Sequence, residues 1–125
     1  MKLYTTRTFS AAHFLPNYIG PCSRMHGHTW KVEVWITGAV DPKTGMLVDF
    51  KDVKNIIDVY DHGVINDFLT SPPTAENIVK RLCFDIFLIS ENIDTVTVRV
   101  WESANSYAEE IVYREDEEED YCDVC

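Results

Sequence analysis

The stretch from His26 to Thr37 alternates more strictly than any other part of the chain. His26, His28, Trp30, Val32, Val34 and Ile36 fall on one side, and Thr29, Lys31, Glu33, Trp35 and Thr37 on the other. A period of two belongs to a strand with one covered face. The two imidazoles share that face with the apolar stripe, so they enter the edge of the core. Gly27 between them has no side chain and leaves the opposite face clear. A third imidazole, His13, stands upstream on what reads as the preceding strand. Three neutral imidazoles fill three positions of a tetrahedral Zn²⁺ and leave one open, the arrangement of a catalytic rather than a structural site. A polar rim at a strand end has the same spacing, and spacing alone leaves both readings open.

The rest of the chain supplies a partner for this strand and a cover for its face. Residues 2–14 read as a β-rich strand ending near His13, and Pro16, Asn17, Gly20, Pro21 and Ser23 mark a loop. A turn follows at residues 38–45. Asp49 suits the N-cap of a helix to Tyr60, with Phe50, Val53, Ile56, Ile57 and Tyr60 as its apolar face. After Ser71-Pro72-Pro73, Thr74 suits the cap of a second helix with Ile78, Leu82, Ile86 and Ile89 buried. Two more strands are expected over residues 95–102 and 107–114. The order β-β-α-α-β-β argues an α+β fold, a four-stranded antiparallel sheet with both helices on one face. Such a sheet has two edges and a partly apolar second face, both reasons to form a homo-oligomer.

At 125 residues the chain is expected to hold one domain, residues 1–113, followed by a tail. The net charge of −10 is concentrated there, with seven acids in residues 115–123. The remaining 14 acids and 10 bases make a mildly acidic body. Residues 114–125 are read as a solvated, disordered acidic segment. No basic face points to nucleic acid. No apolar run is long enough to span a membrane, and the first residues do not read as a signal peptide. Cys83 lies in an apolar helical run and reads as a core thiol. Cys122 and Cys125 form a lone terminal pair, a weak metal or redox signal. Four cysteines without a disulfide framework fit a reducing cytoplasm.

Four further residues could carry chemistry. Cys22 precedes His26 by four positions and could act as a thiolate base, its pKa lowered by a nearby Zn²⁺ and Arg24. Asp61 beside His62 suits an imidazole whose tautomer is fixed for proton transfer. Glu102 continues the stripe Val96, Val98, Val100 and should point to the core side, where a ligand with N–H donors would satisfy it. A loop cysteine, a helix-end polar pair and a solvated strand-end acid are the plainer alternatives.

Six segments combine these features in a fixed order: Phe9 to His13, Cys22 to His28, Gly45 to Phe50, Asp61-His62, Pro73 to Asn77 and Val100 to Ser103. In order and spacing they resemble the 6-pyruvoyltetrahydropterin synthase superfamily. The gap between Cys22 and the His-Gly-His resembles its 6-carboxytetrahydropterin synthase branch, which serves queuosine and other 7-deazaguanine biosynthesis. The resemblance covers residues 1 to about 113. It implies the tunnelling fold, with sheets of several subunits closing a barrel and sites between subunits, a hexamer being the expected size. It implies zinc on His13, His26 and His28, Cys22 as proton-abstracting base, and Asp61 with His62 as a second relay. Glu102 would anchor a pterin ring, helped by Thr74 and Glu76. The implied substrate is 7,8-dihydroneopterin triphosphate, converted to 6-carboxy-5,6,7,8-tetrahydropterin with loss of acetaldehyde and triphosphate. Alternatives within the resemblance are the pyruvoyl synthase, which keeps the carbon chain, and a non-catalytic pterin-binding paralogue. Tyr60 and Trp101 depart from the family pattern. The triphosphate needs a cation, with Arg7, Arg24, Lys31 and Lys54 as candidates.

Overall fold

The computed structural model describes residues 1–114. The acidic segment beyond, with Cys122 and Cys125, lies outside the described residues. The strands are β1 (Lys2–His13), β2 (His26–Gly38), β3 (Ile93–Ser103) and β4 (Ser106–Tyr113), and the helices α1 (Phe50–Asp58) and α2 (Ala75–Phe87). The sheet runs β1-β2-β3-β4, every pair antiparallel. This is the expected β-β-α-α-β-β arrangement of the tunnelling fold.

Alternation decides which face is covered. Phe9, Trp30, Val32, Val34, Ile36, Val96, Val98 and Val100 point to one side and are buried. Both helices lie on that side, α2 against β3 and β4, and α1 against β1 and α2. Asp49 caps α1 by accepting from Lys51 N at 2.9 Å, and Thr74 caps α2 by accepting from Asn77 N at 3.2 Å. Val53, Ile57 and Tyr60 of the α1 segment are buried, whereas Phe50, expected on the apolar face, is exposed in the first turn. On α2, Ile78, Leu82, Cys83 and Ile86 are fully buried. Burial pushes the Cys83 thiol up to about 12, so it behaves as a small apolar side chain. The loop before β2 is not wholly irregular, since Pro21–Ser23 form one 3₁₀ turn. At the other end of β2, Gly38 lies so close to the Asn92 carbonyl oxygen that a Cβ there would collide with it.

The second face of the sheet carries Tyr4, Glu33, Trp35, Arg99, Trp101 and Tyr107. Glu33 accepts from the Tyr4 hydroxyl at 2.7 Å and the Trp101 indole at 2.8 Å. Although burial opposes it, these bonds, with Lys31 and Arg99 nearby, hold the Glu33 carboxyl below its usual range. No helix among the described residues is long and apolar enough to cross a membrane.

Candidate metal centre

The β1–β2 ladder builds the centre directly. His13 pairs with His26, and Ala11 with His28, so three imidazoles converge where the two strands end. Ring centroids lie 4.6 Å apart for His13–His26, 4.9 Å for His26–His28 and 5.2 Å for His13–His28. Trp30, next on the same face of β2, closes the floor with its ring 5.0 Å from that of His13 and 5.2 Å from that of His28. Its indole N–H is satisfied by the Ala11 carbonyl at 3.2 Å.

Two backbone carbonyls set the tautomers. Nδ1 of His13 donates to Pro73 O at 2.7 Å, and Nδ1 of His26 to Arg24 O at 2.7 Å. A carbonyl can only accept, so the proton of each neutral ring sits on Nδ1 and Nε2 presents a lone pair. Nε2 of His13 and of His28 are buried without a hydrogen-bond partner. A buried polar atom without a partner is costly, and a metal ion would supply one. His28 is held below the ordinary imidazole value of 6.5 chiefly by burial, Glu102 pulling the other way and the other two histidines adding to the depression. The ring is therefore biased to the neutral form that binds metal.

Glu102 completes the group. Its Oε2 lies 3.4 Å from His13 Nε2 and 3.5 Å from His28 Nε2. One ligand atom from each of His13, His26, His28 and Glu102 lies within 4.8 Å of the others. Ligands about 2.0–2.1 Å from a tetrahedral zinc are about 3.4 Å from one another, so the Glu102 separations match a tetrahedral edge. These four residues could hold a metal ion. The position of Glu102 beside the imidazoles went beyond the sequence reading, because only the β2–β3 register carries β3's end to the histidines.

Glu102 also faces a second space. A cleft of about 190 Å³ is lined by Ala75, Glu76, Glu102, Ser106, Tyr107 and Ala108. Glu76 therefore joins Glu102, while Thr74 contributes through the cap that starts α2. Cys22, half-buried in the 3₁₀ turn, is outside the group of four. Asp61 and His62 are also outside it. They pack on the outer edge of β1, where Asp61 Oδ1 accepts from Ser10 N at 2.9 Å and His62 N donates to Ser10 O at 2.7 Å. His62 sits at φ 63°, the left-handed region, and its side chain is 85% exposed. Of the two departures, Tyr60 lies in the core against Phe9 and Phe68, and Trp101 points to the second face, away from Glu102. Sequence reading missed the two carbonyls of Pro73 and Arg24. Only Pro72-Pro73, fixing the chain before α2, hinted at the first.

An α+β domain with an imidazole cluster at one sheet end is the class that fold and site define. Residues 2–113 match the family described as 6-pyruvoyl tetrahydropterin synthase, and the chain belongs to that family. A protein of Archaeoglobus fulgidus, provisionally named 6-carboxy-5,6,7,8-tetrahydropterin synthase, is 38% identical over 113 residues, spanning 87% of this chain and 94% of its own. The 6-carboxy-5,6,7,8-tetrahydropterin synthase of Bacillus subtilis is 34% identical over 118 residues, spanning 84% and 79%. The 6-pyruvoyl tetrahydropterin synthase of Caenorhabditis elegans shares the fold, with a TM-score of 0.69 at 22% identity over 92% of this chain and 96% of its own.

Proposed function

We propose that the chain is a zinc-dependent 6-carboxy-5,6,7,8-tetrahydropterin synthase, a carbon–carbon lyase of 7-deazaguanine biosynthesis. The observation that carries this reading is the pair of buried, partnerless Nε2 atoms beside a carboxylate that also lines a cleft. The names of the relatives support this branch. His13, His26 and His28 would hold the ion, which when bound supplies Lewis acidity to the side-chain hydroxyls of the substrate.

The remaining work falls to the chain's own residues. Glu102 anchors the pterin by accepting from its exocyclic amine and ring N–H, a charge-assisted pair that sets orientation. Glu76 and the backbone after Thr74 form the far wall. Cys22 removes the proton of the C–H on a hydroxyl-bearing carbon, and Asp61 with His62 serves the other transfers. A thiol base works best in a reducing compartment, which suits the cytoplasm.

Asp61 and His62 sit on the outer edge of β1, outside the imidazole group of their own chain. We assign them to the site of a neighbouring copy in a homo-oligomer, a hexamer being the expected size. The catalytic unit is residues 1–113.

The zinc-loaded protein incubated with 7,8-dihydroneopterin triphosphate should yield 6-carboxytetrahydropterin, acetaldehyde and triphosphate by mass spectrometry. A product that keeps the three-carbon side chain would instead assign the pyruvoyl reaction. Unchanged substrate would leave a pterin-binding protein without this chemistry.

A further inference from the structure

We propose that Arg24 is the residue that binds the triphosphate of the substrate, and so sets the preference for a phosphorylated pterin. This rests on the pterin reading above.

A body with more acids than bases cannot attract a polyanion by its overall field, so the cation must be local. The chain has five arginines, and four are engaged. Arg7 makes two bonds of 2.8 Å to Asp58. Arg81 bonds Asp85, and Arg99 bonds Glu109 at 2.8 Å. Arg114 donates to the Ile93 carbonyl at 2.8 Å. Arg24 alone has no side-chain acceptor among the described residues.

Position separates Arg24 from the other candidates. Arg7 is held by Asp58 and stands six residues before His13 on an extended strand, about 20 Å from the cluster of its own chain at the usual rise. Lys54 lies beside Asp58 and helps hold that carboxyl down. Lys31 alternates with His28 and Trp30, so it projects from the opposite face of the sheet, its Nζ 5.8 Å from the Trp101 ring centroid. Arg24 stands at the imidazole cluster itself, because its carbonyl is the acceptor for His26 Nδ1.

The backbone of Arg24 is pinned on both sides. Its N–H donates to Pro21 O at 3.1 Å, its carbonyl is held by His26, and the turn before it is tied to Leu15 N through Cys22 O at 2.9 Å. The side chain is exposed and has no acceptor among the described residues. A fixed root with an exposed guanidinium suits a flexible polyphosphate, which arginine can hold bidentately. The geometry of the substrate agrees. Its phosphate ester is on the terminal carbon, next to the second of the two hydroxyl-bearing carbons that would face a bound metal, so the triphosphate would emerge close to the cluster.

The test compares two stable fluorescent probes, neopterin and neopterin triphosphate, by anisotropy with the zinc-loaded protein. The wild-type chain should bind the triphosphate form more tightly. Arg24→Ala should reduce that preference roughly tenfold or more, the weight of a charge-assisted bond, and leave neopterin affinity and zinc content unchanged. Arg24→Lys should keep part of it, which a merely structural role would not predict. Full preference in Arg24→Ala, with neopterin still bound, overturns the assignment of Arg24 alone. Failure of the wild-type chain to bind neopterin overturns the pterin reading and this one with it.

Discussion

At the scale of single residues, the proposed function separates groups that would hold the substrate from groups that would react. Glu102→Gln keeps shape but turns one acceptor into a donor facing the donors of a pterin. A loss of a few kcal/mol in binding is expected, with zinc content unchanged. Cys22→Ala should do the reverse, sparing zinc and pterin while turnover falls about 10²-fold or more. Calorimetry with metal analysis and turnover on both variants checks the pair. Normal pterin affinity in Glu102→Gln would reduce the acid to a strand-end charge. His28 gives a pH dependence. Its folded pKa lies below the ordinary 6.5, so the unfolded chain takes up the proton first as pH falls. The stability from the neutral ring is complete above that ordinary value and is lost as pH falls through the folded value. Urea denaturation of the metal-free protein should show this fall, and His28→Asn should flatten it.

At the scale of elements, Thr74 joins two duties. Its hydroxyl oxygen caps α2, and the Pro73 carbonyl before it holds His13. The cap thus anchors the stretch that orients the His13 ring and starts the helix whose first residues line the cleft. Thr74→Ala should lower stability by about 1 kcal/mol and Thr74→Ser by much less, read by chemical denaturation. Equal stability in the alanine variant would show that the prolines alone fix this turn.

At the scale of the whole molecule, the proposed function needs a second copy to complete the site. Three imidazoles and the Glu102 carboxylate gather at the end of the sheet, while Asp61 and His62 are fastened to the outside of β1. The free edge of β4 and the second face, with Trp35, Trp101 and Tyr107 around Glu33 and Arg99, are surfaces that a neighbour would cover. The acidic segment should take no part, since seven clustered acids repel one another around a symmetric ring. A chain ended after Tyr113 should keep the full-length oligomeric mass by light scattering, and its activity. A monomer, or an inactive oligomer, from that chain would make the segment structural.

The sequence by itself determined the strand that carries His26 and His28, the two capped helices and the α+β order. Period and capping are local, and each is written within a dozen residues. It also named His13, His26 and His28 as a group, because alternation puts two of them on one face and the preceding strand must end near them. Tertiary structure alone decided the rest. The register of β2 on β3 brings Glu102 to the imidazoles, and packing of the α2 cap brings Pro73 to His13. Pairing of β1 with the segment after α1 sends Asp61 and His62 to the outer edge. Long-range pairing and packing join residues more than fifty positions apart, and no local pattern records the distance at which they meet.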